Sequence, residues 1–504
     1  MALLASATKL ILRRRLPTLL RSLQQPVQSQ AETLNQLLRG AAGTQWGQQH
    51  RYSLLRTFQD YQKQVPISTY DQLLPWIEKM MAGESNVLWP GSVQWYSKSS
   101  GTTQRSKFIP MTDASLHLNH FKVGRDMGAL YFAQRPQSRL FEGKALTVGG
   151  SLAHSHPQQD VRSGDLSAVL IERLPRWYQR WRTPPREIAL LHDWEQKLDA
   201  MAHLLLHESV TNLHGVPSWT LVLLQRLLDK KGAAHLREVW PQLEVFFHGG
   251  VSLAPYRTRL QRLAEGLDLA LMETYNASEG FFAVQDDLRR DDLALMVRHG
   301  IFFEFLPLEE LGQAQPRTLG VEEVEVGRTY ALVISTSGGL WRYLIGDTVQ
   351  VSSKVPLRIR VAGRTQQHLN VFGEEVMVHN TDAALAAAAK QHRCEVKDYT
   401  VAPFVQECHP SGWHQWLVEF ALPPQNLEAF AQDLDAALRR VNSDYDAKRE
   451  GNFVLGPAQV VMARPGVFDE WLGRKGQLGG QHKVPRLSEH RKVLDELLGI
   501  NAQA

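Results

Sequence analysis

The chain is poor in cysteine, in net charge and in long apolar runs, and each shortage removes a class of protein. Of 504 residues only Cys394 and Cys408 are cysteines. Two cannot build a disulfide framework or a cysteine zinc site, and such usage fits a reducing compartment such as the cytoplasm. No apolar stretch reaches the roughly 18 residues that cross a bilayer, so no stable membrane insertion is expected. The formal net charge is +4, and no Lys/Arg run beyond the N-terminus marks a nucleic-acid surface. A Gly-x-Ser-x-Gly nucleophile elbow is missing, as are internal repeats and low-complexity tracts. His248, His368 and His482 show no metal-ligand spacing, and His154, His156 and Asp160 read better as a polar loop than as a metal set.

Acidic residues are absent before Glu32, while Arg13-Arg14-Arg15 follow a short apolar segment. Residues 1–30 therefore read as an amphipathic basic helix. A signal peptide places its basic residues ahead of the apolar core, not behind it. A helix packed on the protein and running into Gln30–Leu38 is favoured over a transit peptide or a surface-binding helix.

At the centre of the chain's organisation stands Ser99-Ser100-Gly101-Thr102-Thr103-Gln104-Arg105-Ser106-Lys107. It follows the alternating Val93–Tyr96, and Thr112 and Asp113 can cap a helix through Leu118 and Phe121. Strand, small-residue loop and helix make a phosphate cradle, with N–H groups and hydroxyls for anionic oxygens and Lys107 and Arg105 for countercharge. A Walker A loop would need a second glycine and a Gly-Lys-Ser/Thr ending, which this stretch lacks. The bland alternative is a solvated Ser/Thr turn.

Further along, Leu243–Phe247 reads as a strand stopped by His248-Gly249-Gly250-Val251-Ser252. A helix over Tyr256–Leu263 and a strand over Leu269–Thr274 follow, the latter entering Tyr275-Asn276-Ala277-Ser278-Glu279-Gly280. Strand, glycine loop, helix and strand are the units of a parallel sheet, whose ligands sit beyond the strands' carboxyl ends. After Gly300, short β-rich runs separated by turns suggest an antiparallel or barrel-like part. A boundary is expected near Ala362–Gln367, giving domains 1–365 and 366–504. The second reads as compact α+β, with helices over Asp382–Lys390 and Leu427–Val441 and strands around Tyr399–Pro403 and Trp416–Ala421.

Three segments then resemble the nucleotide motifs of one family: Ser99–Thr103, Tyr275–Glu279 and Tyr343-Leu344-Ile345-Gly346-Asp347. The family is that of the plant auxin-responsive acyl-acid amido synthetases (Gretchen Hagen three), within the adenylate-forming superfamily. Asn370–Glu375, Asn442–Arg449 and Lys483–Arg486 look like its bacterial-type members. The resemblance implies a large N-terminal adenylate-forming domain with parallel sheets and a barrel-like part, and a smaller mobile C-terminal α+β domain. It implies an ATP- and Mg²⁺-dependent ligase that adenylates a small carboxylic acid and passes the acyl group to an amine, an amino acid. Thioester formation with coenzyme A and a catalytically silent nucleotide-binding scaffold are the alternatives. By the same resemblance Ser99, Ser100, Gly101, Thr102 and Thr103 hold ATP phosphates with Lys107, and Glu279 holds Mg²⁺. Gly249 and Gly250 face the adenine, with Tyr275, Asn276, Ala277 and Ser278 around the nucleotide. Asp347 takes the ribose hydroxyls, Arg364 lies near the ribose or α-phosphate, and Lys483 is the catalytic lysine. Asn276-Ala277 stand where plant members usually carry Ala or Gly and then Ser, and the stretch from Asp113 to Pro241 shows no hormone-specific pattern.

Overall fold

The computed structural model describes residues 2–99, 107–150, 152–156, 161–175, 178–191, 193–251, 253, 256–365, 367–405, 412–475 and 484–502. Ser100, Gly101, Thr102, Thr103, Ser252, His482 and Lys483 lie outside them.

An 11-stranded sheet forms the backbone of the large N-terminal part. One half is parallel: Val245–Gly249 lies between Val210–Gly215 and Ala270–Ala277, and Lys144–Thr147 pairs with Val210–Gly215 further out. The other half is antiparallel and holds Gly280–Val284, Leu293–Leu295, Ile301–Pro307, Thr329–Thr336, Tyr343–Lys354 and Leu357–Arg364. The β-rich texture after Gly300 is this half, and it continues the parallel half without a break. Ala270–Ala277 is the seam, parallel to one neighbour and antiparallel to the other.

A separate four-stranded sheet carries Trp95–Ser99 and Lys107–Pro110 as antiparallel neighbours, with Ser99 opposite Lys107. Here the fold differs from the expected strand–loop–helix. A second strand separates the Ser/Thr-rich stretch from the helical run, which starts only at Asp113, so that helix terminus does not directly follow the stretch. Thr112 does cap the run, its hydroxyl accepting from the Ser115 N–H.

Two apolar cores flank the sheet. The first joins N-terminal helices to the antiparallel half. Helix Ala2–Gln24 seats Leu12, Leu19 and Leu23 in it, and Arg15 binds the buried Asp126 through two hydrogen bonds of 2.8 and 3.0 Å. The basic N-terminus is thus a packed helix, and a second helix starts at Pro26, where proline suits the first helical turn. The second core is shared by the parallel half and the smaller C-terminal part: Leu146, Leu224 and Phe246 are in one cluster with Leu369, Trp416 and Leu434. The C-terminal part is α+β, a sheet of Glu395–Val405, Gly412–Leu422 and Gln459–Ala463 covered by helices that include Val378–His392 and Leu427–Val441.

Candidate active site

Glu279 stands in a two-residue hairpin turn. Ala277 pairs with Gly280 across it, so Ser278 and Glu279 form the tip at the seam of the sheet. The turn is tied on both sides. The Ser278 and Ser97 hydroxyls lie 2.8 Å apart, joining it to the strand that leads into the Ser/Thr-rich stretch. Asn119 holds Phe281, the second residue past the turn, accepting from its N–H at 2.7 Å and donating to its carbonyl at 3.0 Å. Asn119 can do this from a π-turn, Leu116–His120, a local widening often found at functional sites.

Asp347 and Arg364 are directly opposite each other on neighbouring antiparallel strands, where opposite charges stabilise the pair. Arg364 Nε lies 3.0 Å from Asp347 Oδ1, and the buried Tyr275 hydroxyl donates to Oδ2 at 2.6 Å. Arg364 Nη2 also reaches Glu375 Oε1 at 3.1 Å. Lys107, only 7 % exposed, directs Nζ at the Tyr343 hydroxyl, 3.3 Å away. Lys107, the turn with Glu279, and the Tyr343–Asp347 strand with Arg364 therefore meet in one place, although Ser97 and Ser278 are 181 positions apart.

Charge at this place is out of balance. Burial raises the Glu279 carboxyl above its ordinary value, against the pull of Lys107 and with help from Glu375 and Asp347. Burial likewise raises Asp347, opposed by Arg364 and the Tyr275 hydrogen bond and reinforced by Glu375. Glu489 is raised by burial and by Glu374. Tyr275 is kept protonated by burial and the neighbouring Asp347.

The glycines have local reasons of their own. A Cβ on Gly249 would come within 2.4 Å of the Thr274 carbonyl, so the residue is demanded by packing against the seam strand. Gly250 has φ +82°, a left-handed conformation suited to glycine, and its carbonyl accepts from Asn370 at 3.3 Å. Asn370 in turn accepts from the Glu375 N–H at 3.2 Å. Gly250 is thereby linked to the hairpin that supplies Glu375. His248 is buried beside them, its pKa lowered to about 4 by burial and by Arg257, so it is neutral at pH 7.

Sequence reasoning missed Glu375 as the second partner of Arg364, and Tyr343 and Tyr70 as the neighbours of Lys107. Tyr343 opens one quoted motif and Glu375 closes another segment, but sequence spacing gives no sign of what either touches. No group of three or more His, Cys, Asp or Glu arranged to hold a metal occurs among the described residues. No helix among them is long and apolar enough to cross a membrane.

This arrangement of a large sheet-based N-terminal part and a smaller C-terminal part matches the fold of adenylate-forming enzymes. A 2-hydroxyisobutyryl-CoA ligase, solved with its acyl-adenylate and coenzyme A, matches over 95% of this chain and 93% of its own, with a TM-score of 0.59 and 12% identity. The chain belongs to the GH3 family: residues 15–269 match its N-terminal domain, 294–364 its central domain and 379–492 its C-terminal domain. It is 24% identical to a jasmonoyl–L-amino acid synthetase of Oryza sativa subsp. japonica, over 93% of this chain and 94% of that one. The GH3.15 acyl acid amido synthetase in complex with 2,4-DB matches with a TM-score of 0.62 and 19% identity, covering 97% and 96% of the two chains.

Proposed function

We propose that the chain is an ATP- and Mg²⁺-dependent acyl-acid amido synthetase that adenylates a small carboxylic acid and transfers the acyl group to an amine, an amino acid. The observation that carries this reading is the convergence of Lys107, Glu279, Tyr275, Asp347 and Arg364 from four separate segments of the chain. A carboxylate oxygen attacks the α-phosphorus and pyrophosphate leaves. The amine then attacks the acyl carbonyl, and AMP leaves. Both reactants of the first step are anions, so the protein's task is neutralisation and alignment.

Asp347 accepts the ribose hydroxyls, for which each carboxylate oxygen keeps a lone pair beyond its present partner. Arg364 lies near the ribose or α-phosphate, and Lys107 faces the phosphates, serving the segment Ser99–Thr103. Tyr275, Asn276, Ala277 and Ser278 line the nucleotide, and Gly249 and Gly250 its adenine side. Lys483 would bridge the acid and the α-phosphate as charge develops. Magnesium needs one or two carboxylates beside phosphate oxygens and water, so the single half-buried Glu279 fits it without an all-protein cage. Bound there, the ion would neutralise phosphate charge. We place the domain boundary at residues 365 and 366, with Thr365–Gln367 as the hinge, and the protein in the cytoplasm.

Coenzyme A in place of the amine is the second reading, favoured by the likeness to a CoA ligase. ATP–pyrophosphate exchange with a panel of carboxylic acids, without and with pooled amino acids, tests the first step and names the acyl class. Product analysis then separates amide from thioester. Lys483→Ala should abolish exchange while ATP still binds. ATP binding without exchange for any acid would leave a nucleotide-binding scaffold.

A further inference from the structure

We propose that the Tyr343 hydroxyl and the Tyr70 ring form a seat that holds the Lys107 ammonium in the site, making both tyrosines positioning residues for the adenylation step. This rests on the reading of Lys107 as a phosphate-facing group.

Lysine is rarely buried unless a carboxylate accompanies it. Lys107 is buried, yet no carboxylate of a described residue lies within ion-pair distance of its Nζ, and its one hydrogen bond among them goes to a phenol. Two tyrosines border the ammonium instead. Nζ lies 5.8 Å from the centre of the Tyr70 ring, within the range where a ring face attracts a cation. From Tyr343 it lies 3.3 Å from the hydroxyl and 5.9 Å from the ring centre, which puts it beyond the hydroxyl and near the ring plane, so Tyr343 holds it through oxygen.

The rings are held in place by the strands they serve. The Tyr70 hydroxyl accepts from the Phe108 N–H at 2.7 Å, fixing it to the residue after Lys107. Ser68 bridges to Tyr343, with its N–H donating to the Arg342 carbonyl and its carbonyl accepting from the Leu344 N–H, each at 2.9 Å. Residues 68–70 thus clamp the Lys107 strand and the Tyr343 strand together, and helix Tyr70–Met81 anchors the clamp through its capping box of Thr69 and Gln72.

Tyr343 is fully buried, and burial and Glu279 raise its phenol well above the ordinary range, so it stays neutral. Its oxygen accepts from Lys107, which leaves its own proton without an acceptor among the described residues. A neutral hydroxyl and a neutral ring fix where the ammonium goes, and its charge still reaches Glu279 without a direct ion pair. A carboxylate in the same position would form a closed ion pair and weaken the lysine's pull on phosphate oxygen. The arrangement therefore suits an anionic ligand that Lys107 and the Tyr343 hydroxyl meet together.

The test uses the full-length protein labelled with ¹³Cε-lysine, with Lys107→Arg assigning the Lys107 resonance. The Tyr70 ring current should shift that resonance upfield in the wild type. Tyr70→Phe should keep the shift and Tyr70→Leu should reduce it. In ATP–pyrophosphate exchange Tyr70→Leu should raise the KM for MgATP roughly 3- to 30-fold, the span of a partly desolvated cation–π contact, with Tyr70→Phe closer to wild type. Tyr343→Phe, which removes the hydroxyl that accepts from Lys107, should raise it roughly 10- to 100-fold. A Lys107 resonance at the ordinary lysine position, or folded Tyr70→Leu and Tyr343→Phe variants with unchanged KM, would overturn the seat. Calorimetry with MgATP runs beside this. A wild type with the upfield resonance but no MgATP binding would sink the functional reading and leave the seat standing as geometry only.

Discussion

Two arginine–carboxylate pairs sit close together in the antiparallel half of the sheet and follow opposite rules. Arg342, just ahead of strand Tyr343–Lys354, meets Glu304 in full burial, with both carboxylate oxygens 3.1 Å from its Nε. Its Nη1 donates to the carbonyls of Gln62 and Val65, and its Nη2 to the Thr318 hydroxyl, which itself donates to Glu304. The charge is matched and the network is closed. Arg364 and Asp347, by contrast, share their space with Glu279, Glu375 and Glu489 against one further cation, Lys107. Four carboxylates face two cations, and the carboxyls of Glu279, Asp347 and Glu489 are raised by burial. A closed network fixes a fold. A surplus of carboxylate suits a ligand that brings hydroxyl donors and a metal-bound phosphate.

The comparison can be broken at either site. Glu304→Ala leaves Arg342 buried and uncompensated, so unfolding in urea should show a loss of about 3–5 kcal/mol. A loss below about 1 kcal/mol would mean the network is not closed as described. Arg364→Ala should act on rate instead, lowering pyrophosphate exchange by about 10²-fold while the urea midpoint moves little. Equal damage to stability and rate would erase the contrast between the pairs.

Glu279→Gln sharpens it through pH. The Glu279 carboxyl is raised above its ordinary 4.5 in the folded chain, so the unfolded chain loses this proton first. The group therefore adds stability at low pH that is lost as pH rises through the folded value. Thermal unfolding of the variant should match wild type below the ordinary carboxyl value and exceed it as pH rises above that value, levelling off beyond the folded one. Parallel curves would show that the carboxyl is not raised. The same variant should need more Mg²⁺ for exchange. The smallest effect is expected from Thr318→Val, which removes one hydroxyl from the closed network: about 1–2 kcal/mol of stability and no change in exchange per folded molecule.

Local signals were readable along most of the chain. Helix Leu427–Val441 follows from its capping Asn426 and the spacing of Phe430, Leu434 and Leu438 on one buried face. Strands Val245–Gly249 and Ala270–Ala277 follow from apolar runs that end in turn residues. Four-residue strand Lys107–Pro110 did not, because so short a run beside a Ser/Thr-rich stretch carries no period to count. The site divides the same way. Asp347, Arg364 and Glu279 were legible as motif members, but the pairing of Arg364 with Glu375 depends on how the Asn370–Glu375 hairpin folds back, which no residue spacing encodes. Tyr70 reaches the Lys107 strand through its hydroxyl at Phe108 and the Tyr343 strand through the bridge of Ser68, long-range contacts invisible to local pattern. Ser100–Thr103 and Lys483 stand on sequence alone.

The order of strands in the sheet has a consequence for synthesis. After Leu293–Leu295 the chain crosses to the far edge at Ile301–Pro307 and works back through Thr329–Thr336 and Tyr343–Lys354. Leu357–Arg364 then closes the gap beside Leu293–Leu295. Until that strand leaves the ribosome, the nascent sheet carries two further bare edges, at Leu293–Leu295 and Tyr343–Lys354, each a template for wrong pairing. Arg364 is its last residue, so the Asp347–Arg364 pair forms in the same event that seals the sheet. A ribosome stalled shortly before Leu357 would hold a chain that lacks this pair and is at its most exposed to aggregation.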